Sequence, residues 1–193
     1  RGDLGAAREQ LLRQQAVARK AGLKVLAALG RNALGDVERL AGRFGEASAH
    51  YDEAMRQLRQ AGSGKVRVVE LNRALCAVEV DVKDAVARAE ALLPEVERAG
   101  EKVLIALLHG ILAVGAGSDG DWSAADAHLA VFSQPVQTGL IDGEIALLAE
   151  KVARVALAAG DTWRAGVTTS WAREIWQALG RADRIETLPG EPG

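Results

Sequence analysis

The chain has 193 residues and a formal net charge of −2, with 24 Lys and Arg and 26 Asp and Glu interspersed along it. This balance excludes the basic footprint of a nucleic-acid-binding protein, so we expect no nucleic-acid partner. Hydrophobic residues make up 49% of the chain but aromatic residues only 4%, a composition that favours α-helices packed closely through Ala, Leu and Val.

The single cysteine, Cys76, excludes an intrachain disulfide. We therefore expect a cytoplasmic protein rather than a secreted scaffold, and no targeting leader precedes the first helix. The longest apolar run, Val103–Gly117, is interrupted by His109 and is shorter than the roughly 20 residues that span a membrane. It predicts a buried helix and no membrane partner.

Two series of small residues recur along the chain with nearly the same period. Alanines recur at steps of 40, 38, 40 and 40 residues, at Ala7, Ala47, Ala85, Ala125 and Ala165. Glycines follow these anchors by 14 or 15 residues, at Gly22, Gly62, Gly100, Gly139 and Gly180. Each glycine is placed to end a helix in the left-handed conformation. The common period predicts an α-helical solenoid.

The repeats divide the chain into a single domain over residues 1–188. We expect a half repeat at 1–22, repeats at 23–62, 63–100, 101–139 and 140–180, a partial last helix at 181–188 and a flexible tail at 189–193. Residues 2–7 align with the middle of the next repeat, 42–47, so we expect the sequence to be part of a longer protein. The Pro- and Gly-containing segment from Leu188 onward is predicted to be non-helical and frayed.

Each repeat is predicted to contain two helices. The first helices are predicted at Lys24–Leu40, Val66–Glu79, Lys102–Ala116 and Ile141–Ala159. The second helices carry the anchor alanines, with apolar residues at the 3.6-residue period of an amphipathic helix. Asp121, Ser123 and Asp161 are predicted N-caps of second helices. Pro94 and Pro135 predict a kink or an early helix end.

One repeat carries a recognisable motif. Leu34-Gly35, Gly42, Phe44, Ala47, Tyr51 and Ala54 match, in order and spacing, the pattern of the tetratricopeptide repeat family, which this chain resembles. The other repeats are degenerate, with Trp122 in place of Phe44. The period of 38–40 residues is similar to the long-helix repeats of bacterial signalling kinases and signal-transduction ATPases. The resemblance implies a right-handed superhelix of antiparallel helix pairs that binds proteins or peptides in its concave groove.

The same resemblance implies which residues line the groove. The position ten residues after each ladder glycine faces the groove in this family, and here it is occupied by Asn32 and Asn72 in the first two full repeats. Together with Asp36, Arg39 and Arg73, these asparagines would form a polar half of the groove. Asparagine can pair with a peptide backbone because its amide both donates and accepts. The alternative, ordinary exposed polar residues, stays open at this point.

No nucleophile, base and acid form a recognisable catalytic set, so we expect no enzymatic activity, cofactor or metal site. His50 and His128 lie at equivalent positions two repeats apart, which predicts a separation of roughly 20 Å, too far to share a metal. His109 is predicted to be a packed helix residue. Trp163, Trp171 and Trp176 crowd one repeat, either as packing residues or as an exposed aromatic surface.

The sequence therefore predicts a non-catalytic module that binds a protein or peptide, as the regulatory part of a larger bacterial signalling protein. The alternative is a structural or oligomerisation role, in which the repeats pack on a catalytic domain or on another copy. The terminal segment Gly2–Gln15, whose partner helix is not in the sequence, motivates that alternative.

Overall fold

The computed structural model describes residues 4–190, and within that range the chain is helical, with no strand. The helices are α1 (Leu4–Lys20), α2 (Lys24–Leu40), α3 (Phe44–Gln60), α4 (Val66–Ala77), α5 (Val82–Ala99), α6 (Lys102–Ser118), α7 (Trp122–Phe132), α8 (Gln134–Gln137), α9 (Gly143–Ala158), α10 (Thr162–Ala178) and α11 (Ala182–Ile185). The predicted first helices are confirmed as α2, α4, α6 and α9, with ends that differ by at most two residues.

The chain forms two compact units, Arg1–Arg88 and Ala89–Gly193, and α5 contains the boundary. In the first unit α2 packs against α1, α3 and α4; in the second, α6 packs against α7 and α9, α9 packs against α10, and α11 contacts α10. Consecutive helices thus pack in adjacent pairs, which confirms the all-α class and is compatible with an α solenoid. The single repeat domain over 1–188 stays a prediction.

The ladder glycines end helices as predicted. All five have a positive φ, from 63° at Gly62 to 78° at Gly139. At the end of α1, the Gly22 amide donates to the Arg19 carbonyl and the Leu23 amide to the Ala18 carbonyl, a cap that requires a left-handed residue between them. Because only glycine adopts this conformation without strain, the chain can reverse direction there.

The anchor alanines lie where helices approach closely. Ala47, Ala85 and Ala125 are fully buried. Beside them, a Cβ added at Gly35 on α2 would lie 2.5 Å from Cε1 of Tyr51 on α3. Small residues are therefore required at these contacts, because a larger side chain would separate the two backbones.

Helix ends follow local capping chemistry. The predicted N-caps Asp121 and Asp161 accept hydrogen bonds from the amides of Ala124 and Arg164. The early end predicted near Pro135 is confirmed, since α7 ends at Phe132 and Pro135 lies in the first turn of α8, where its missing N–H costs nothing. The early end predicted at Pro94 does not occur, because α5 continues through it to Ala99.

The segment after α11 is packed where the structure describes it. Leu188 is buried, and the Thr169 hydroxyl donates to the Pro189 carbonyl at 3.3 Å. The fraying predicted from Leu188 onward is therefore not observed for 188–190, because α10 holds this stretch. Residues 191–193 of the predicted tail lie outside the described residues.

The most apolar helix, α6, is buried along most of its length, as the sequence predicted for residues 103–117. Among residues 4–190 no helix combines the length and the hydropathy that crossing a bilayer requires.

Candidate binding surface

Three helices of the first unit meet at a polar cluster, defined here as Asn32 and Asp36 of α2, Tyr51 of α3 and Asn72 of α4. Asn72 Nδ2 donates to Asn32 Oδ1 at 3.1 Å. The Tyr51 hydroxyl donates to Asp36 Oδ1 at 2.8 Å, and Asn32 Nδ2 lies 3.4 Å from Asp36 Oδ2. Three of the predicted groove residues are therefore neighbours in space and bond directly to one another.

The cluster is largely turned inward. Tyr51 is fully buried and Asn32 nearly so, whereas Asp36 and Asn72 are half-buried. Burial and the adjacent Asp36 carboxylate raise the pKa of the Tyr51 phenol well above its ordinary value. Tyr51 therefore remains a donor, and the cluster joins α2, α3 and α4. Asn72 uses one of its two N–H groups in this bond and is the member best placed to reach a ligand.

The two predicted groove arginines lie in different surroundings. Arg39 of α2 is buried, and its charge opposes the rise in the pKa of both Tyr51 and Cys76. Arg73 of α4 is half-buried, and its Nε lies 2.8 Å from Asp52 Oδ1 on α3. Of the two, Arg73 is the one that solvent reaches.

Arg73 also lines a cavity of about 550 Å³ in the first unit. Its apolar lining includes Phe44, Cys76, Ala77 and Val80, and its charged lining includes Arg73, Asp81, Asp84 and Arg88. Arg88 is bonded to Asp84 at 2.6 Å. The thiol of Cys76 is buried, which raises its pKa, and it lies 3.6 Å from the Phe44 carbonyl oxygen. The cavity is thus apolar at its base and carries a paired guanidinium at its edge.

Sequence reasoning missed the hydroxyl of Tyr51 and the carboxylate of Asp52. Tyr51 had been assigned only to apolar packing. The signal was present in the residue type, because a tyrosine within a buried apolar stripe needs a partner for its hydroxyl. Asp52 follows it directly, and as its neighbour on the helix it points away from the core.

Two side-chain pairs occupy equivalent positions in different repeats. Arg31 Nη1 lies 3.2 Å from His50 Nδ1, and His109 Nδ1 lies 3.0 Å from His128 Nδ1, each pair separated by 19 residues. Burial lowers the pKa of all three histidines, and the neighbouring positive charge of Arg31 or of His128 further lowers the pKa of His50 and His109 respectively. The shared 19-residue spacing could have revealed the His109–His128 contact.

Over residues 4–190 no group of three or more His, Cys, Asp or Glu residues is arranged to hold a metal ion. The His109–His128 pair is thus a two-residue contact. Its rings are tilted by 55° with their centroids 5.1 Å apart.

The three tryptophans of the second unit do not form one surface. Trp176 is buried and donates from Nε1 to Glu150 Oε1 at 2.7 Å. Trp171 is half-buried, with its ring edge toward Phe132 at 6.2 Å. Trp163 is 69% exposed and lies beside the guanidinium of Arg164. Packing therefore accounts for two of them, and the third is a surface residue.

No protein-family model matches the chain, and no curated protein matches it.

Proposed function

We propose that this chain is a non-catalytic repeat module of the tetratricopeptide type, which binds a protein or peptide at the surface formed by α2 and α4. The observation that carries the proposal is the Asn72–Asn32 hydrogen bond, because it aligns equivalent positions of consecutive repeats at 3.1 Å. The right-handed superhelical stacking implied by the family resemblance belongs to this proposal.

The chemistry of the surface supports an extended peptide as the ligand. Asn72 retains a carbonyl acceptor and a second N–H donor for a peptide backbone. The adjacent Arg73 offers a guanidinium that can exchange its exposed partner Asp52 for an acidic ligand group. The 550 Å³ cavity beside Arg73 has room for an apolar side chain. A peptide that alternates apolar and acidic residues would complement all three features.

The biological setting is part of the same proposal. The long repeat period and the paired helices are similar to the repeats of bacterial signalling kinases and signal-transduction ATPases. We place the chain in the cytoplasm as the regulatory or sensor part of such a protein. In that setting, ligand binding to the repeats would control an attached catalytic domain.

The test is selection of peptides from a random library on the immobilised chain, followed by affinity measurements on variants. Asn72→Ala and Arg73→Ala should each weaken the selected peptides at least tenfold. Lys20→Ala, at an exposed position of α1, is the control and should leave affinity unchanged. Failure to select any peptide would overturn the proposed function, whereas selection of peptides insensitive to both variants would overturn the assigned surface.

A second candidate is a structural role, in which the repeats pack on a catalytic domain or on another copy of the chain. It is favoured by the exposed leucines of the first unit, Leu12, Leu23 and Leu26. Sedimentation over a range of concentrations distinguishes it, since self-association makes the sedimentation coefficient rise with concentration.

A further inference from the structure

An apolar groove of about 720 Å³ lies between α1 and α2 in the first unit, away from the polar cluster. Leucines and small residues line it: Leu11, Ala18, Leu23, Leu26, Leu29 and Gly30. Leu26 is 56% exposed and Val17, at the edge, is 66% exposed. So large a concentration of exposed aliphatic surface on one pair of helices indicates a docking surface.

Internal repetition shows what fills the corresponding groove one repeat later. A shift of 40 residues carries Leu11 and Leu29 onto Tyr51 and Val69, and α1 and α2 onto α3 and α4. Tyr51 and Val69 are fully buried, whereas Leu11 and Leu29 are half-exposed. The difference arises because α2 packs on both α3 and α4. The second unit repeats the arrangement, since α6 packs on both α7 and α9.

We propose that the α1–α2 groove binds an amphipathic α-helix, which packs on α1 and α2 as α2 packs on α3 and α4. The occupant is defined by the chemistry of α2, which approaches its neighbours through small residues. Ala28 belongs to the buried core, and Gly35 contacts the Tyr51 ring. The occupant therefore carries small residues one or two turns apart on its apolar face, flanked by leucine or valine.

The floor and the rim of the groove support this assignment. Ala18 and Gly30 leave room for a close backbone approach, and a bond from Gln15 Nε2 to the Ala27 carbonyl holds α1 against α2. Gln10, Arg13 and Gln14 form a polar edge. Arg13 pairs only with the exposed Glu9, so acidic residues on the flank of the occupant would find a cation there.

The experiment uses the helix that fills the equivalent groove as its probe. A stapled peptide with the sequence of α2, Lys24–Leu40, is titrated into the full chain and followed by calorimetry. Stapling is needed because isolated helices of this length are marginal in water. The control peptide carries Ala28→Glu and Gly35→Glu, which place charges on the apolar face, and it should not bind.

Variants of the chain locate the binding site. Leu26→Glu should weaken the α2 peptide at least tenfold, because it places a charge in the groove. Ile141→Glu is the matched control, since Ile141 is 51% exposed and lies in the second unit. Asn72→Ala should also leave this binding unchanged, which separates the groove from the peptide surface proposed above. Circular dichroism checks that each variant remains folded.

Each outcome decides the proposal. Binding that is lost only in Leu26→Glu supports it. No binding of the α2 peptide, or equal binding by Leu26→Glu and Ile141→Glu, overturns it. A dimer of the full chain that Leu26→Glu dissociates would assign the groove to a second copy and also overturn the proposal as stated.

Discussion

Asn72 and Asn32 are joined side chain to side chain by a 3.1 Å hydrogen bond, although they lie 40 residues apart. The separation equals the repeat period read from the alanine anchors, so the bond links the same position in consecutive repeats. Asn32 is nearly buried, and its carbonyl oxygen therefore depends on the Asn72 amide rather than on water. The pair is both a register marker and a stabilising contact.

Replacing Asn72 with Ala should destabilise the first unit by about 1–3 kcal/mol, because the buried acceptor of Asn32 loses its donor. Urea unfolding monitored by circular dichroism measures the change. Gln60→Ala, at an exposed position of α3, is the control and should change stability by less than about 0.5 kcal/mol. Equal effects of the two substitutions would show that the asparagine bond does not contribute.

Gly35→Ala should destabilise the chain by about 1–3 kcal/mol, because its Cβ would lie 2.5 Å from the Tyr51 ring. Gly166→Ala in α10 is the matched control, since a Cβ there meets nothing within 4 Å. That substitution should stabilise by about 0.5–1 kcal/mol, the ordinary gain for a helical glycine. Thermal unfolding of both variants tests the contrast, and two changes of the same sign would contradict it.

Glu38 predicts a pH dependence of stability. Burial, the largest influence, raises the pKa of its carboxyl, but hydrogen bonds from Arg8 and Arg43 outweigh it and lower the pKa overall. A lowered pKa means that the stabilising contribution is complete above the ordinary value of about 4.3 and is lost as pH falls through the folded-state pKa. Glu38→Gln should therefore be less stable than the parent at pH 7.

The gap between the parent and Glu38→Gln should narrow as the pH falls below about 4, where the parent carboxylate becomes protonated. Urea unfolding at pH 7 and pH 3 measures it. Glu9→Gln is the control, because the Glu9–Arg13 pair is exposed and is expected to contribute little at either pH. A gap for Glu38→Gln that is independent of pH would refute the assignment.

His128→Asn should raise the pKa of His109. Burial is the main cause of the lowered pKa of His109, and the charge of His128 is the second, while Glu97 acts in the opposite direction. Removing His128 leaves burial and Glu97 in place, so only part of the shift should be reversed. NMR titration of the imidazole protons measures it, with His50 as the reference resonance. An unchanged pKa of His109 would show that the two rings do not interact electrostatically.

The lowered histidine pKa values also set the direction of a stability change. Between the folded-state pKa and the ordinary value of about 6.5, the unfolded chain binds more protons than the folded chain. Stability is therefore complete above about pH 6.5 and falls as the pH drops through this window. Unfolding measured at pH 7.5 and pH 5.5 should show the loss, and His128→Asn should reduce it.

Trp163 should dominate the quenching of tryptophan fluorescence by iodide. It is 69% exposed, whereas Trp176 is 4% exposed and bonded to Glu150. Trp163→Phe should remove most of the quenchable emission, and Trp176→Phe should leave it in place. Stern–Volmer plots of the two variants test this, and similar quenching in both would contradict the placement of Trp163 at the surface.

The sequence by itself determined the helices, their period and their ends. Those features are local: glycine permits the left-handed cap at Gly22, alanine permits close packing at Ala47, and the 3.6-residue pattern marks the buried face. It also identified Asn32 and Asn72 as equivalent positions. The helix through Pro94 was not foreseen, because local propensity is weaker than packing over a whole helix.

Only the tertiary structure decided how polar side chains are shared between helices. The spacing of Asn32 and Asn72 does not reveal that they bond to each other, or that Asp36 accepts from Tyr51. The contact between His109 and His128 and the separate environments of Trp163 and Trp176 were likewise undetermined. These outcomes depend on which side chains of neighbouring helices reach the same point, and a repeat period fixes the positions of backbones but not the partners of side chains.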